Sequence, residues 1–583
     1  VGEGDSGGGR QVDRRTFLKG GLAAGGLIAA AGGALLAAET EGASPAPPPR
    51  APRARHVARS GAPNILVILV DQLRFPQWFS PASRGPGLPP NLARLRRGAV
   101  SFEGHYTAAN DCTPARSTLL TGLYTHQTGC LMTGASTLND GFPTWGTMLR
   151  EHGYRTYWYG KWHLTRHDHH WTEEAGAPIL ERYGFAGGTF PSPDGSPGQG
   201  WRADPHITEQ FADFYDHLAG DEPWCTTVSL VNPHDIAWWY ELTDRVRPEA
   251  SAPRSVRTLP PNFETPEQLI ERRKPRLQLS LQETSAQAFG AVPFTGPGVA
   301  RAWLPFLDLY VKLQREVDGR IGHLLRTLRR RPRIAANTVI VFTSDHGEYG
   351  ASHGMRGKGA AVYEEGIRVP LLVKDPRGVL TRAPEQPRTQ LTSSVDVAPL
   401  LLTIATGSSA WRRESYYSHL AGRLEIERIL VDPTAPGRPH VLHATDEVVT
   451  EFATELYAAD APLHIVAVRT PQAKYAVYAN WTSDGIDLLP LGQQSELYDY
   501  TTPSGRLELH NSVGQNPLDE SLDAILLRAL AEELRAALPQ RLLAARAAGI
   551  DDYLFVAKAD AVAATARRRR RREEHHRLAG ETL

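Results

Sequence analysis

Only 3 of the 583 residues are cysteine, too few for a scaffold held together by disulfides. Net charge is missing as well: 64 Lys and Arg stand against 64 Asp and Glu, which argues against a protein held to nucleic acid by its overall field. No internal repeat is apparent. Hydrophobic residues make up an ordinary 41%, enough to exclude wholesale disorder and to bury one large core or two. With 53 glycines and 44 prolines, the composition predicts a large, loop-rich soluble protein, best suited to an enzyme.

The two ends read differently from the middle. Arg14 and Arg15 precede a Gly/Ala/Leu stretch from Gly20 to Ala38, which resembles a twin-arginine export signal and predicts an exported protein, periplasmic, extracellular or at the cell surface. The competing reading is a transmembrane anchor, for which the many glycines and alanines are poorly suited. Residues 39–60 read as a proline-rich linker, and 551–583 as a tail holding the arginine run 567–572. Between them, residues 61–560 carry 49 Lys and Arg against 56 Asp and Glu, so the neutral total conceals an acidic body.

In that body, strand and helix patterns alternate. The run 64–70 (Asn-Ile-Leu-Val-Ile-Leu-Val) predicts a strand buried on both faces, and further strands are expected at 154–159, 226–231, 338–343 and 369–373. Phe306, Tyr310, Leu313, Val317, Ile321, Leu324 and Leu328 recur at spacings of three and four, one face of a helix. A second helix is expected over 396–404, capped by Ser394 or Asp396. The pattern predicts an α/β fold over 61–440, with a mostly parallel sheet covered by helices on both sides. From 441 to 550, short strands at 464–469 and 474–478 followed by Leu522, Leu526, Leu530 and Leu534 predict a smaller α+β subdomain.

The chemistry gathers where strands end. Asp71-Gln72, Lys161-Trp162-His163, Pro233-His234 and Asp345-His346 each follow a predicted strand, and ligands in open α/β sheets bind beyond the carboxyl ends of strands. One Asp or His at such a place is usually a turn former. Four polar pairs at four strand ends make coincidence a weaker account. The segment Cys112 to Gly122 (Cys-Thr-Pro-Ala-Arg-Ser-Thr-Leu-Leu-Thr-Gly) predicts a helix with Cys112 at its N-terminus, where the dipole favours negative charge.

This segment resembles the Cys-x-Pro-x-Arg signature of the formylglycine-dependent sulfatases, of the alkaline phosphatase-like superfamily. Gly160 to His163, Thr343 to Glu348, Gly357 to Gly359, Tyr363 to Pro370 and Glu496 to Asp499 are similar to that family's further motifs, in family order. The resemblance implies an enzyme in which a formylglycine-generating enzyme has oxidised Cys112 to formylglycine, hydrated to a gem-diol that attacks a small-molecule sulfate ester. Asp71, Gln72, Asp345 and His346 would hold one divalent cation together with the modified Cys112. Arg116 would steady that residue, and Lys161, His163, His234 and Lys358 would surround the sulfate group. His234 or Lys358 would protonate the leaving alcohol, and His163 would deprotonate the second hydroxyl so that sulfate leaves. Oxygen ligands favour Ca²⁺ or Mg²⁺, whereas His346 shifts the balance towards Mn²⁺ or Zn²⁺. Many relatives have paired aspartates where this chain has Asp71-Gln72, and asparagine in place of His346. The combination seen here is similar to that of choline-sulfatases and phosphonate monoester hydrolases, which makes a phosphonate monoester or phosphate diester the alternative substrate. The reading from another class is a non-catalytic binder of sulfated ligands with an unmodified Cys112.

His167, His169 and His170 fit a polar rim loop better than a second metal site. Trp238, Trp239 and Tyr240 fit either an apolar subsite or simple packing. Cys130 and Cys225 could pair in an oxidising compartment.

Overall fold

The computed structural model describes residues 58–75, 87–133, 136–219, 222–239, 255–446, 461–481, 488–534 and 537–549. The predicted export segment, nearly all of the linker, Tyr240 and the arginine run 567–572 lie outside the described residues.

One sheet has eight strands: β1 (Asn64–Val70), β2 (Val100–Tyr106), β3 (Arg155–Gly160), β4 (Ala186–Gly187), β5 (Trp224–Leu230), β6 (Thr338–Ser344), β7 (Leu371–Lys374) and β8 (Arg388–Ser393). Their order is β4-β3-β5-β1-β6-β7-β2-β8. Strands β4, β3, β5, β1 and β6 pair in parallel, as do β2 and β8. Strand β7 runs antiparallel to both β6 and β2, so the mostly parallel sheet is a mixed one.

The run 64–70 forms the predicted strand, with all seven residues buried. Its alternating side chains feed two cores, one on each face of the sheet. The helices concerned are α1 (Cys112–Thr121), α2 (Gln199–Asp216), α3 (Val299–Arg329) and α4 (Val397–Thr406). Ile65, Val67 and Leu69 share a core with Leu119 and Leu120 of α1 and Leu400 and Leu401 of α4. Leu66, Ile68 and Val70 share the other with Phe211 of α2 and Val317, Ile321 and Leu324 of α3. Upstream on α3 the stripe changes partners: Phe306, Tyr310 and Leu313 pack with Trp239 and Trp303 instead. The seven-residue stripe is therefore one face of one helix shared between two cores.

Helix α4 begins at Val397, and neither predicted cap serves it. The Asp396 carboxylate instead accepts the Ser393 and Leu424 backbone N–H groups, each at 3.0 Å, and pairs with Arg438 at 2.6 Å. A fully buried carboxylate needs a cation, and Arg438 supplies one that a helix end would not. Ser394 Oγ accepts the Ala108 N–H at 2.9 Å.

A second, antiparallel sheet is ordered β12-β11-β10-β9, from β9 (Val441–Asp446), β10 (His464–Arg469), β11 (Ala473–Trp481) and β12 (Leu488–Asp499). Leu522 and Leu526 on α5 (Asp519–Ala529), with Leu530 and Leu534 in the π-helical turn after it, bury their predicted face against this sheet. Glu364 ties the sheets together. Its carboxylate accepts from Tyr106 on β2 at 2.8 Å and Tyr500 at 3.2 Å, and pairs with Arg469 on β10 at 3.4 Å and Lys474 on β11 at 3.8 Å. Burial alone would raise the Glu364 carboxyl, but Arg469 and Lys474 outweigh it and pull it down to about 2.

A carboxyl with a depressed folded pKa stabilises the protein above its unfolded value and loses that contribution as pH falls towards the folded one. E364Q is therefore expected to cost on the order of 3 kcal/mol near neutrality by leaving two cations underpaired. In thermal melts the gap between the variant and the parent chain should be full above about pH 5 and close as pH falls from about 4.5 to about 2. A gap that is flat across that window would contradict the assignment.

Candidate active site

The strand registers bring the expected residues to one edge. Val70 of β1 lies beside Leu230 of β5 and Ser344 of β6, and Gly160 of β3 beside Ser229 of β5. The residues after these four strands carry Asp71 and Gln72, Lys161 to His163, His234, and Asp345 and His346. Gly160 allows the close approach: it has φ +99°, and a Cβ there would lie 1.9 Å from the Ser229 carbonyl oxygen.

Helix α1 presents Cys112 to this edge. Asp111 caps it by accepting the Cys112 N–H at 2.9 Å, and Gly122 ends it at φ +69°. Cys112 is 1% exposed. Its Sγ lies 3.2 Å from His346 Nε2, 3.6 Å from Lys161 Nζ and 3.9 Å from Asp71 Oδ1.

One turn further along, Arg116 is fully buried. Its Nη2 meets Asp71 Oδ2 at 3.2 Å, its Nε meets Asp345 Oδ2 at 2.9 Å, and its Nη1 donates to Lys161 O at 2.8 Å and Ser229 Oγ at 3.0 Å. Lys161 Nζ pairs with Asp71 Oδ2 at 2.5 Å. On the opposite side, Lys358 Nζ donates to Gln72 Oε1 at 2.8 Å and to His234 Nε2 at 3.0 Å. Nine of the ten predicted residues thus form one chain of contacts. His163 stands beside them, within the fields of Lys161, Arg116 and Asp71.

Supporting groups that the sequence reading passed over hold these side chains still. Gln72 has a left-handed backbone (φ +61°), secured by its own N–H to Asp345 Oδ1 at 3.1 Å and by Tyr310 Oη donating to its carbonyl at 2.8 Å. His163 is likewise left-handed (φ +54°), and its N–H donates to the Asp168 carboxylate at 2.6 Å. Burial pushes Asp168 up to about 7, although the His163 N–H works against it. The His234 loop is fixed by two carboxylates: Asp204 accepts the Val231 and Asn232 N–H groups, while Asp235 accepts those of Gly200 and Trp201 at the start of α2. Tyr310 belongs to the predicted apolar stripe, where its hydroxyl was the one available signal.

Burial lowers His163 and His234 well below the ordinary histidine range, with Lys161 and Arg116 adding to the effect at His163 and Lys358 and Lys161 at His234. Both imidazoles are therefore neutral at neutral pH. Lys358 goes the other way: burial would lower it, but Cys112 and Asp71 raise it, so the ammonium keeps its proton and donates to His234 Nε2. Asp71, which burial would raise, is held well below the carboxylate range by the charges of Lys161 and Arg116.

The donor set fits a divalent cation. Asp71, Cys112, Asp345 and His346 are all buried, with one ligating atom of each within 4.8 Å of the others. His346 Nδ1 lies 3.0 Å from the Gly347 carbonyl, which places the Nδ1 hydrogen there and leaves the Nε2 lone pair facing the carboxylates. Burial would lower His346, yet Asp345 raises it, so positive charge is favoured at that point.

The remaining expectations divide. His167, His169 and His170 lie ring beside ring, the last two with centroids 4.0 Å apart, and belong to no convergent ligand group among the described residues. Trp239 packs against Phe306, and Trp238 Nε1 donates to Gly195 O at 2.6 Å. Cys130 and Cys225 are separate buried thiols rather than a disulfide. A second cluster (His353, Glu365 and Glu508) was not foreseen. Its histidine pairs with Glu264 and its carboxylates with Arg74 and Lys474, so side-chain charges already answer it.

Comparison with known proteins accounts for this arrangement. The sulfatase family model matches residues 63–408. The choline-sulfatase of Rhizobium meliloti is 28% identical over 473 residues, covering 72% of this chain and 79% of that protein. Arylsulfatase K of Gallus gallus is 25% identical over 530 residues, covering 87% and 88%. Among solved structures, BT4656 in complex with D-glucosamine-2-N,6-O-disulfate superposes with a TM-score of 0.59 at 20% identity, covering 81% of this chain and 98% of that one. The phosphonate monoester hydrolase of Silicibacter pomeroyi superposes at 0.58 and 19%, covering 82% and 96%. With the family model spanning more than half of its length and the signature cysteine seated among the predicted partners, the chain belongs to the sulfatase family.

Proposed function

We propose that the site hydrolyses an organic sulfate monoester to alcohol and sulfate, with Cys112 acting after conversion to formylglycine. The observation that carries this reading is the convergence of Cys112, Lys161, Lys358 and two carboxylates at one strand edge. A sulfate ester hides its sulfur behind anionic oxygens and releases charge onto the departing oxygen, so fixed cations are the tool its cleavage requires. A formylglycine at position 112 supplies a hydrated aldehyde, one hydroxyl of which attacks sulfur while the other allows sulfate to leave by elimination. Asp71, Gln72, Asp345 and His346 would hold the divalent cation, Ca²⁺ first and Mg²⁺ or Mn²⁺ next, which supplies further positive charge for the ester oxygens.

The side chains divide the remaining work. Lys161 and Lys358 orient the sulfate oxygens. Neutral His163 is ready to accept a proton. The proton for the leaving oxygen resides on the Lys358–His234 pair, joined at 3.0 Å. Arg116 holds Asp71 and Asp345 apart from one another and in place.

One observation favours a second reading. The phosphonate monoester hydrolase of Silicibacter pomeroyi shares this fold, and a phosphonate monoester or phosphate diester carries the same single negative charge as a sulfate monoester, so the same cations would serve it. Residues 1–38 would carry the folded enzyme out of the cytoplasm by the twin-arginine route.

The parent chain, produced alongside a formylglycine-generating enzyme, should hydrolyse an aryl sulfate with a larger kcat/KM than the matched aryl phosphonate monoester. The reverse ranking would establish the second reading. C112A should lose at least about a thousandfold in kcat while keeping its fold, and peptide mass analysis of active protein should find position 112 as the aldehyde. Active protein with only an unmodified thiol would overturn the mechanism. Replacing the paired arginines (R14K with R15K) should leave folded enzyme inside the cell, read as activity in the cytoplasmic rather than the exported fraction.

A further inference from the structure

Glu348 has no role in the scheme above, yet it is fully buried beside the site. Its Oε2 accepts from Gln72 Nε2 at 2.5 Å, and its Oε1 accepts the backbone N–H groups of Gly350 at 3.0 Å and Gly357 at 2.8 Å. All three contacts use it as an acceptor.

The two ends of the Gln72 amide are chemical opposites: Nε2 only donates and Oε1 only accepts. At one end stands a carboxylate, which accepts; at the other stands the Lys358 ammonium, which donates at 2.8 Å. Turning the amide over would set oxygen against oxygen and nitrogen against nitrogen, leaving buried polar groups unpaired at both ends. The same carboxylate also grips Gly357, the residue before Lys358. A single group therefore fixes the amide's orientation and its spacing from the lysine.

We propose that Glu348 is a positioning residue that makes a glutamine workable at position 72. It selects the amide orientation with Nε2 on Glu348 and Oε1 facing Lys358, the oxygen that would serve as the ligand to the cation. This rests on reading the site as a sulfatase centre that holds a divalent cation. The role of Glu348 is specific to glutamine, because a carboxylate at 72 would face it as one anion against another.

An isosteric exchange tests it: Q72E, E348Q and the double variant Q72E/E348Q. Q72E opposes two carboxylates and E348Q opposes two amides. The double variant restores one N–H···O contact with its polarity reversed, at unchanged composition and net charge. The readouts are the rise in thermal midpoint on titration with Mn²⁺ alone and, separately, KM and kcat for an aryl sulfate. Each folded single variant should bind Mn²⁺ at least about tenfold more weakly, and the exchange should recover most of that loss. If E348Q fails to fold, Q72E against the double variant carries the comparison. E348Q that binds Mn²⁺ like the parent chain, or a double variant no better than the weaker single, would overturn the proposal. A parent chain that responds to Mn²⁺ but cleaves no sulfate ester would sink the sulfatase reading while the Mn²⁺ comparison still decides the role of Glu348. A parent chain without any Mn²⁺ response would overturn both.

Discussion

The pairing of buried Arg116 with Asp71 and Asp345 is the contact on which the site depends. Two carboxylates from adjacent strands cannot share a dry site without a cation between them, and here the cation comes from a third element, helix α1. The same helix carries Cys112 one turn earlier, so the charge that makes the carboxylates tolerable also aims the thiol at them. Its planar fork reaches two carboxylates, a carbonyl and a hydroxyl together, which a lysine could not do.

Charge is handled locally throughout the molecule. The body of the chain is acidic, so its overall field does not draw anionic esters, and on the proposed function that work would fall to Lys161 and Lys358. Away from the site the same economy recurs, with Glu364 joining two sheets and Asp396 holding three segments together through the Ser393 and Leu424 amides and Arg438. These buried ion pairs fix which elements meet and add little net stability over an apolar contact of equal volume.

Much of this was legible in the sequence where a single signal sufficed. The continuous aliphatic run of β1 has no competing reading, and its boundaries were found. Strands β3, β5 and β6 were found within two residues at either end, because apolar runs ended in polar pairs. Strands β2 (Val-Ser-Phe-Glu-Gly-His-Tyr) and β8 (Arg-Thr-Gln-Leu-Thr-Ser) were not, because their polar members are buried by partners distant in the chain. The site shows the same division. Residues within family motifs were recognised, while Asp168, Asp204, Asp235 and Tyr310 hold backbone groups by contacts that leave no local pattern. Glu348 lay inside a recognised motif, but its task appears only once Gln72 and Gly357 are seen on either side.

The burial of Cys112 sets an order of events. At 1% exposure, on the first turn of a helix packed against the sheet, its sulfur is out of reach of any macromolecule once the chain has folded. If Cys112 is converted as proposed, the converting enzyme would have to meet the segment as unfolded polypeptide. On the proposed chemistry, folding would close that opportunity for good, and each molecule's capacity for catalysis would be settled while the chain is young.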